Sequence, residues 1–205
     1  ADGEKVVMRI LDESNQAITL EQLGYWGLSL TTVKEAMLQP NGMILVTGPT
    51  GSGKSTSLFS VLSELNTPDV NISTIEDPVE YKIPGVNQTQ TNPKAGMTFA
   101  SGLRALLRQD PNIIMVGEIR DTETANLGVQ AALTGHLVFS TLHTNNAATC
   151  LPRLLDMGIE PFLIASTVKA VIGQRLVRRL CSQCRIQYTP DANELAVIEE
   201  SFNIT

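Results

Sequence analysis

A glycine-rich stretch that ends in lysine and serine is the part of the sequence best suited to chemistry. It fits the pattern G-x-x-x-x-G-K-[ST], in which backbone N–H groups surround phosphates, the lysine reaches the β- and γ-phosphates and the hydroxyl binds Mg²⁺. The apolar run at 43–47 predicts a buried strand before it, and apolar residues at helical spacing follow it. A flexible Gly/Ser turn is the alternative interpretation. The predicted nucleotide-binding residues are Gly48, Pro49, Thr50, Gly51, Ser52, Gly53, Lys54, Ser55 and Thr56, with Ser55 on Mg²⁺.

Two carboxylates stand where predicted strands end. Glu76 closes the alternating run at 70–76, and Glu118 follows the continuous apolar run at 113–116. Hydrolysis of a nucleoside triphosphate needs a water in line with the γ-phosphate and a metal ion that neutralises charge. A carboxylate can serve either purpose, so both residues are catalytic candidates; solvated acids at strand ends are the alternative.

A histidine and several arginines complete the candidate set. His143 follows the apolar run at 137–142, where its imidazole could donate to a phosphate or to Glu118; a satisfied core histidine is the alternative. Arg104 and Arg108 are four apart on a predicted helix and so share a face. These two and Arg120 are candidates for stabilising transition-state charge, although each could equally be a surface or ion-pair residue.

The predicted elements alternate between strands and helices. This order favours an α/β fold with a largely parallel sheet and helices on both faces, in which ligands bind at the carboxyl ends of the strands. A strand is also expected at 6–11, a helical region at 19–40, a hairpin or loop at 81–95, and helices at 146–157 and 161–180.

Composition restricts the class of protein. Hydrophobic residues make up 42% and charged residues 18% of the 205, which fits a globular chain. The net charge of −6 argues against nucleic acid as the main partner, and the basic stretch 169–185 lacks aromatic residues that would stack on bases. Three cysteines without a signal peptide suggest a reducing compartment. Cys181 and Cys184 form a C-x-x-C, whose two thiolates could be half of a tetrahedral zinc site. Either a second pair lies beyond this sequence or the zinc site is absent; a redox pair is disfavoured.

Four motifs in order make the chain resemble the type II secretion and type IV pilus assembly ATPases. They are the Walker A sequence 48–55, the acidic box 74–80, the Walker B sequence 113–121 and the histidine box 140–145. The resemblance implies a RecA-like P-loop NTPase core with a short helical C-terminal extension. It also implies a hexameric ring that hydrolyses ATP to drive pilus assembly or protein secretion at the cytoplasmic face of the inner membrane. The expected partner is an inner-membrane platform protein, and nucleic acid is not expected.

The resemblance also implies roles for individual residues. Glu76 would orient and activate water, and Glu118 would act on Mg²⁺ through a water. Arg9 would be an arginine finger supplied to an adjacent subunit. Retraction motors of pili share the four motifs but generally lack the C-x-x-C, so Cys181 and Cys184 favour assembly or secretion. A retraction ATPase, a RecA-like DNA motor and a non-hydrolysing nucleotide-gated module remain the alternatives.

Three segments are expected along the chain. Residues 1–18 would be a terminal strand or linker from a missing N-terminal domain, and 19–160 would be the ATPase core. Residues 161–205 would be a helical C-terminal region that carries the C-x-x-C and continues beyond this sequence. The chain lacks an initiator Met and is expected to be an excised motor domain.

Overall fold

The computed structural model describes residues 3–8 and 18–202 and contains one sheet flanked by helices. The strands are β1 (Gly42–Thr47), β2 (Ile72–Glu76), β3 (Asn87–Gln90), β4 (Ile113–Val116), β5 (Leu137–Leu142) and β6 (Val168–Gly173). The α-helices are α1 (Gly27–Met37), α2 (Lys54–Leu65), α3 (Phe99–Leu106), α4 (Thr122–Leu133), α5 (Cys150–Asp156), α6 (Pro161–Thr167) and α7 (Ala192–Phe202). Short 3₁₀ turns occupy Pro93–Ala95 and Leu107–Gln109.

The six strands are hydrogen-bonded in the order β3-β2-β4-β5-β1-β6, and every pairing is parallel. All residues of β1, β2, β4 and β5 are buried. Parallel sheets have both faces covered, so their central strands are apolar at successive positions rather than at alternate ones. The predicted α/β class with a parallel central sheet is confirmed.

The core lies on both faces of this sheet. Leu45 packs in one hydrophobic cluster with Leu103 of α3, whereas its neighbours Ile44 and Val46 pack in the other cluster with Leu62 of α2. Successive side chains of a strand point to opposite faces, so β1 contributes to both clusters. The central strands are thereby held rigidly, and their carboxyl ends share one edge of the sheet.

The expected helix at 161–180 is wrong beyond Thr167, because the chain continues as strand β6. β6 pairs with β1, from Val168 beside Met43 to Gly173 beside Thr47. Its β-branched residues favour a strand, and without it the outer edge of β1 would be unpaired. The sheet therefore extends beyond the expected boundary at residue 160.

Two further segments differ from what was expected. The segment 81–95, expected as a hairpin or loop, contributes the edge strand β3, which pairs in parallel with β2. Of the strand expected at 6–11, residues 6–8 are described; they are exposed and not part of a strand, and 9–17 lie outside the described residues. In the described part of the chain no helix is long and apolar enough to cross a membrane.

Candidate active site

The phosphate loop connects the end of β1 to the start of α2. Gly51 and Gly53 have φ values of 76° and 84°, which glycine adopts without the steric cost that a side chain would add. Gly53 is the N-cap of α2, so the positive end of the helix dipole and its free N–H groups point into the loop. This is the local geometry that binds a phosphate group.

Lys54 is held at the base of this loop. Its Nζ donates to the carbonyl oxygens of Gly48 at 3.0 Å and Pro49 at 3.1 Å. Burial lowers the pKa of Lys54, and the charge of Glu118 acts in the opposite direction. The ammonium group therefore sits in a partly desolvated position, where its attraction for a phosphate is stronger than it would be in water.

A cavity of about 540 Å³ lies over the loop. It brings together the ends of four neighbouring strands, since its lining includes the phosphate loop, Glu76, Glu118 and His143. The predicted nucleotide-binding residues from Thr50 to Thr56 all line it. In this volume a triphosphate on the loop would lie beside both candidate carboxylates.

Glu76 is buried, with only 9% of the residue exposed. Its Oε1 accepts hydrogen bonds from Thr74 Oγ1 at 2.6 Å and Gln88 Nε2 at 3.1 Å. Burial raises the pKa of Glu76 above its ordinary value, and the two hydrogen bonds oppose that effect. A fixed carboxylate with raised proton affinity is suited to accept a proton from water.

Glu118 belongs to a cluster of charged side chains. Its Oε1 forms an ion pair with Arg120, and its Oε2 lies 3.1 Å from His143 Nε2. Arg120 also lies 3.6 Å from Asp77. The hydrogen bond with Glu118 raises the pKa of Arg120. The predicted contact between His143 and Glu118 is therefore present, and Glu118 is oriented by two side chains.

Buried hydroxyl groups join these strand ends, and they were not predicted from the sequence. Thr47 Oγ1 donates to Thr144 O at 2.9 Å, which ties the end of β1 to the loop after His143. Thr141 Oγ1 donates to Gly117 O at 2.8 Å, next to Glu118. The feature of the sequence that could have predicted them is the presence of hydroxyl residues at the carboxyl ends of otherwise apolar strands.

The other predicted arginines lie away from the cavity lining. Arg104 is exposed and forms an ion pair with Glu123. Arg104 lies in α3, which ends at Leu106, and Arg108 lies in the 3₁₀ turn that follows directly. Arg9 is outside the described residues.

The C-x-x-C does not form a metal site in the described part of the chain. Cys181 and Cys184 are exposed, and in residues 3–8 and 18–202 no cluster of three or more potential ligands was found. Hydrogen bonds with the backbone of Gln183 and Cys184 lower the pKa of Cys181. The described residues therefore give no support for bound zinc.

The residues present do fit a magnesium nucleotide. The loop supplies N–H groups and Lys54, and the Ser52 hydroxyl within it is buried with no hydrogen-bond partner among the described residues. Ser55, in the first turn of α2, and Glu118 supply oxygen ligands of the type that Mg²⁺ prefers. All four residues line the same cavity.

Comparison with known proteins identifies the family. The model of the family described as "Type II/IV secretion system protein" matches residues 1–202. The chain belongs to this family. It is 60% identical over 183 residues to the type II secretion system protein E of Aeromonas hydrophila, covering 89% of this chain and 36% of that protein. It is 56% identical over 193 residues to the type IV pilus assembly ATPase PilB of Thermus thermophilus, covering 94% of this chain and 22% of that protein.

Solved structures of secretion and pilus ATPases share the fold. A crystal structure of the pilus retraction motor PilT with bound ADP matches with a TM-score of 0.75 and 34% identity, over 95% of this chain and 59% of that one. The VirB11 ATPase of Brucella suis in complex with sulphate matches with a TM-score of 0.53 and 30% identity, over 62% of this chain and 38% of that one. This chain of the type II/IV secretion family thus spans less than two fifths of the length of the two curated relatives described.

Proposed function

We propose that this chain is the ATP-hydrolysing part of a motor that powers type II secretion or type IV pilus assembly. The observation that carries the proposal is the single cavity in which Lys54 of the phosphate loop, Glu76 and Glu118 converge. The presence of both carboxylates favours hydrolysis over a module that only binds nucleotide. Relatives named as ATPases at 56% identity support it.

Each group has a distinct part in the proposed reaction. The phosphate loop and Lys54 would hold the triphosphate, and Ser55 and Glu118 would hold Mg²⁺, which would supply the positive charge that neutralises the phosphates. Glu76 orients the attacking water and takes its proton, which suits its raised pKa. His143 and Arg120 keep Glu118 oriented.

The proposal extends to the assembled machine. The motor would be a hexameric ring at the cytoplasmic face of the inner membrane, docked on a platform protein, with Arg9, Arg104 or Arg108 reaching a neighbour's nucleotide. The pattern of identities favours assembly or secretion over retraction, since the assembly and secretion relatives are 56–60% identical and PilT is 34% identical. The net charge of −6 counts against a DNA motor.

The experiment compares ATP turnover of the wild-type protein with Glu76→Gln and Glu118→Gln. Glu76→Gln should lower kcat by roughly 10²- to 10⁴-fold, the usual effect of losing a general base, at unchanged Mg²⁺ dependence. Glu118→Gln should raise the Mg²⁺ concentration needed for half-maximal turnover.

Glu35→Gln is the matched control, since Glu35 is exposed on α1 and far from the cavity lining; its turnover should equal that of the wild type. Turnover of Glu76→Gln within about threefold of the wild type would rule out the assigned role, given the smallest effect expected of a general base. Absence of wild-type turnover would reject the proposed function as a whole.

A further inference from the structure

The backbone of Gln174 continues the sheet past the last residue of β6 and meets the start of the phosphate loop. Its N–H donates to Thr47 O at 2.8 Å, at the end of β1. Its carbonyl oxygen is only 2.3 Å from where a Cβ on Gly48 would be. The main chain of Gln174 therefore packs directly on the first glycine of the loop.

The side chain of Gln174 reaches the other end of the same loop. Its Oε1 accepts hydrogen bonds from Ser57 Oγ at 2.8 Å and Tyr25 Oη at 3.2 Å. Ser57 is buried one turn beyond Lys54 in α2. The Nε2 of Gln174 lies 2.9 Å from where a Cβ on Gly53 would be. One residue thus contacts both ends of the loop and the helix that follows it.

From these contacts we propose that Gln174 is a positioning residue for the phosphate loop. It fixes the distance between Gly48 and Gly53, and therefore the directions of the backbone N–H groups in the loop between them. Donors that are already fixed in position bind a ligand without an entropic cost of ordering. If the loop becomes more mobile, binding is therefore weaker. The next residue strengthens the connection, because Arg175 Nη2 donates to Asn145 O at 2.9 Å in the loop after His143. The segment after β6 is thereby joined to both sides of the cavity.

The effect on turnover rests on the proposed ATP hydrolysis, and the first test is the kinetics of Gln174→Ala. Two hydrogen bonds to one oxygen are lost, so KM for ATP should rise roughly tenfold. The kcat should stay within about threefold, because the substitution leaves the carboxylates in place. A merely structural role would lower the folded fraction, which reduces the apparent kcat and leaves KM unchanged.

Two further variants sharpen the kinetic test. Gln130→Ala removes an exposed glutamine of α4 and should leave both constants unchanged. Tyr25→Phe removes one donor to Gln174 and should raise KM a few-fold in the wild-type background, but little in the Gln174→Ala background, since partners in one network are not additive. Additive effects of the two substitutions, or an unchanged KM in Gln174→Ala, would overturn the proposal.

Hydrogen exchange without nucleotide tests the same inference independently of hydrolysis. The amides of Ser52 and Ser57 bond to Pro49 O and Gly53 O within and just after the loop. In Gln174→Ala, peptides covering 48–57 should exchange several-fold faster, and peptides covering α5 should not change. Equal acceleration in both regions would show a general loss of stability and would overturn the positioning role. If the wild-type protein did not hydrolyse ATP, the proposed function would fail, and this comparison would still decide the role of Gln174.

Discussion

Glu76 is a buried carboxylate with hydrogen bonds to a single one of its oxygens. Thr74 and Gln88 both donate to Oε1, and the residue as a whole is buried. Burial of a charged group costs free energy unless its partners compensate fully. Burial raises the pKa of Glu76 despite the two hydrogen bonds, so we expect ionisation of the residue proposed to activate water to cost free energy in the folded state.

Glu76→Gln should therefore stabilise the folded protein at neutral pH while lowering its turnover. The amide keeps an oxygen that can accept from Thr74 and Gln88, so we expect a gain of roughly 0.5–2 kcal/mol in the free energy of unfolding. The sign follows from the raised pKa of Glu76. Its carboxyl group ionises near pH 4.5 in the unfolded chain and only at higher pH in the folded protein. The free energy of unfolding of the wild type therefore falls as the pH rises from the unfolded pKa to the folded pKa. The gain should be present at pH 7.5 and shrink towards pH 4.5.

Urea unfolding followed by circular dichroism at the two pH values measures this gain. Glu35→Gln removes the same charge from an exposed position and should change the free energy of unfolding little at either pH. A gain in Glu76→Gln that is independent of pH, or no gain at all, would contradict the assignment of the cost to ionisation.

Helix α4 begins directly after the segment that carries Glu118 and Arg120. Its N-cap is Asp121, whose side chain accepts from Thr124 N at 2.8 Å. The helix then buries Ala125 and Val129 against the sheet. The cap thus fixes where the helix starts, and with it the end of the loop that presents the two charged residues.

Asp121→Ala should lower the free energy of unfolding by about 1 kcal/mol, the usual cost of an N-cap. Asp121→Asn keeps an oxygen in the same place and should lose only a few tenths of a kcal/mol. Chemical denaturation of the two variants beside the wild type gives the comparison. If Asn destabilised as much as Ala, the charge of Asp121 rather than its cap would be the important property.

The central elements could be predicted from the sequence and the edge elements could not. β1, β4 and β5 are buried on both faces, so they read as continuous apolar runs that end at chemically active groups. β3 has the sequence Asn-Gln-Thr-Gln, which carries no apolar pattern, and β6 alternates poorly because its edge is partly exposed. Gln174 was missed for a related reason: its partner Tyr25 is 149 residues away, and one glutamine after an unpredicted strand gives no local signal.

Arg104 and Arg108 are exposed and do not line the cavity. The ion pair of Arg104 with Glu123 has both side chains more than half exposed, and such pairs contribute about 0–1 kcal/mol. The ion pair of Arg104 therefore contributes little to the stability of the fold. Under the proposed function, they would contact a nucleotide bound to a neighbouring copy of the chain.

Turnover per chain should accordingly rise with protein concentration, because active sites would be completed between copies. Arg104→Ala or Arg108→Ala should lower turnover at high concentration at least tenfold, in line with loss of an arginine finger, and change the free energy of unfolding by less than about 1 kcal/mol. Arg153→Ala, exposed on α5, is the control. Constant wild-type activity per chain over a hundredfold dilution would contradict active sites shared between subunits.

The segment that leads from Tyr25 into α1 carries a tryptophan whose fluorescence can be measured. Trp26 is the only tryptophan in the sequence, and it is 79% exposed next to the tyrosine that contacts Gln174. Its indole is already in water in the folded chain, so its emission would change little on unfolding. A blue shift of that emission would instead report that another surface had covered the start of α1, two residues from the network behind the phosphate loop.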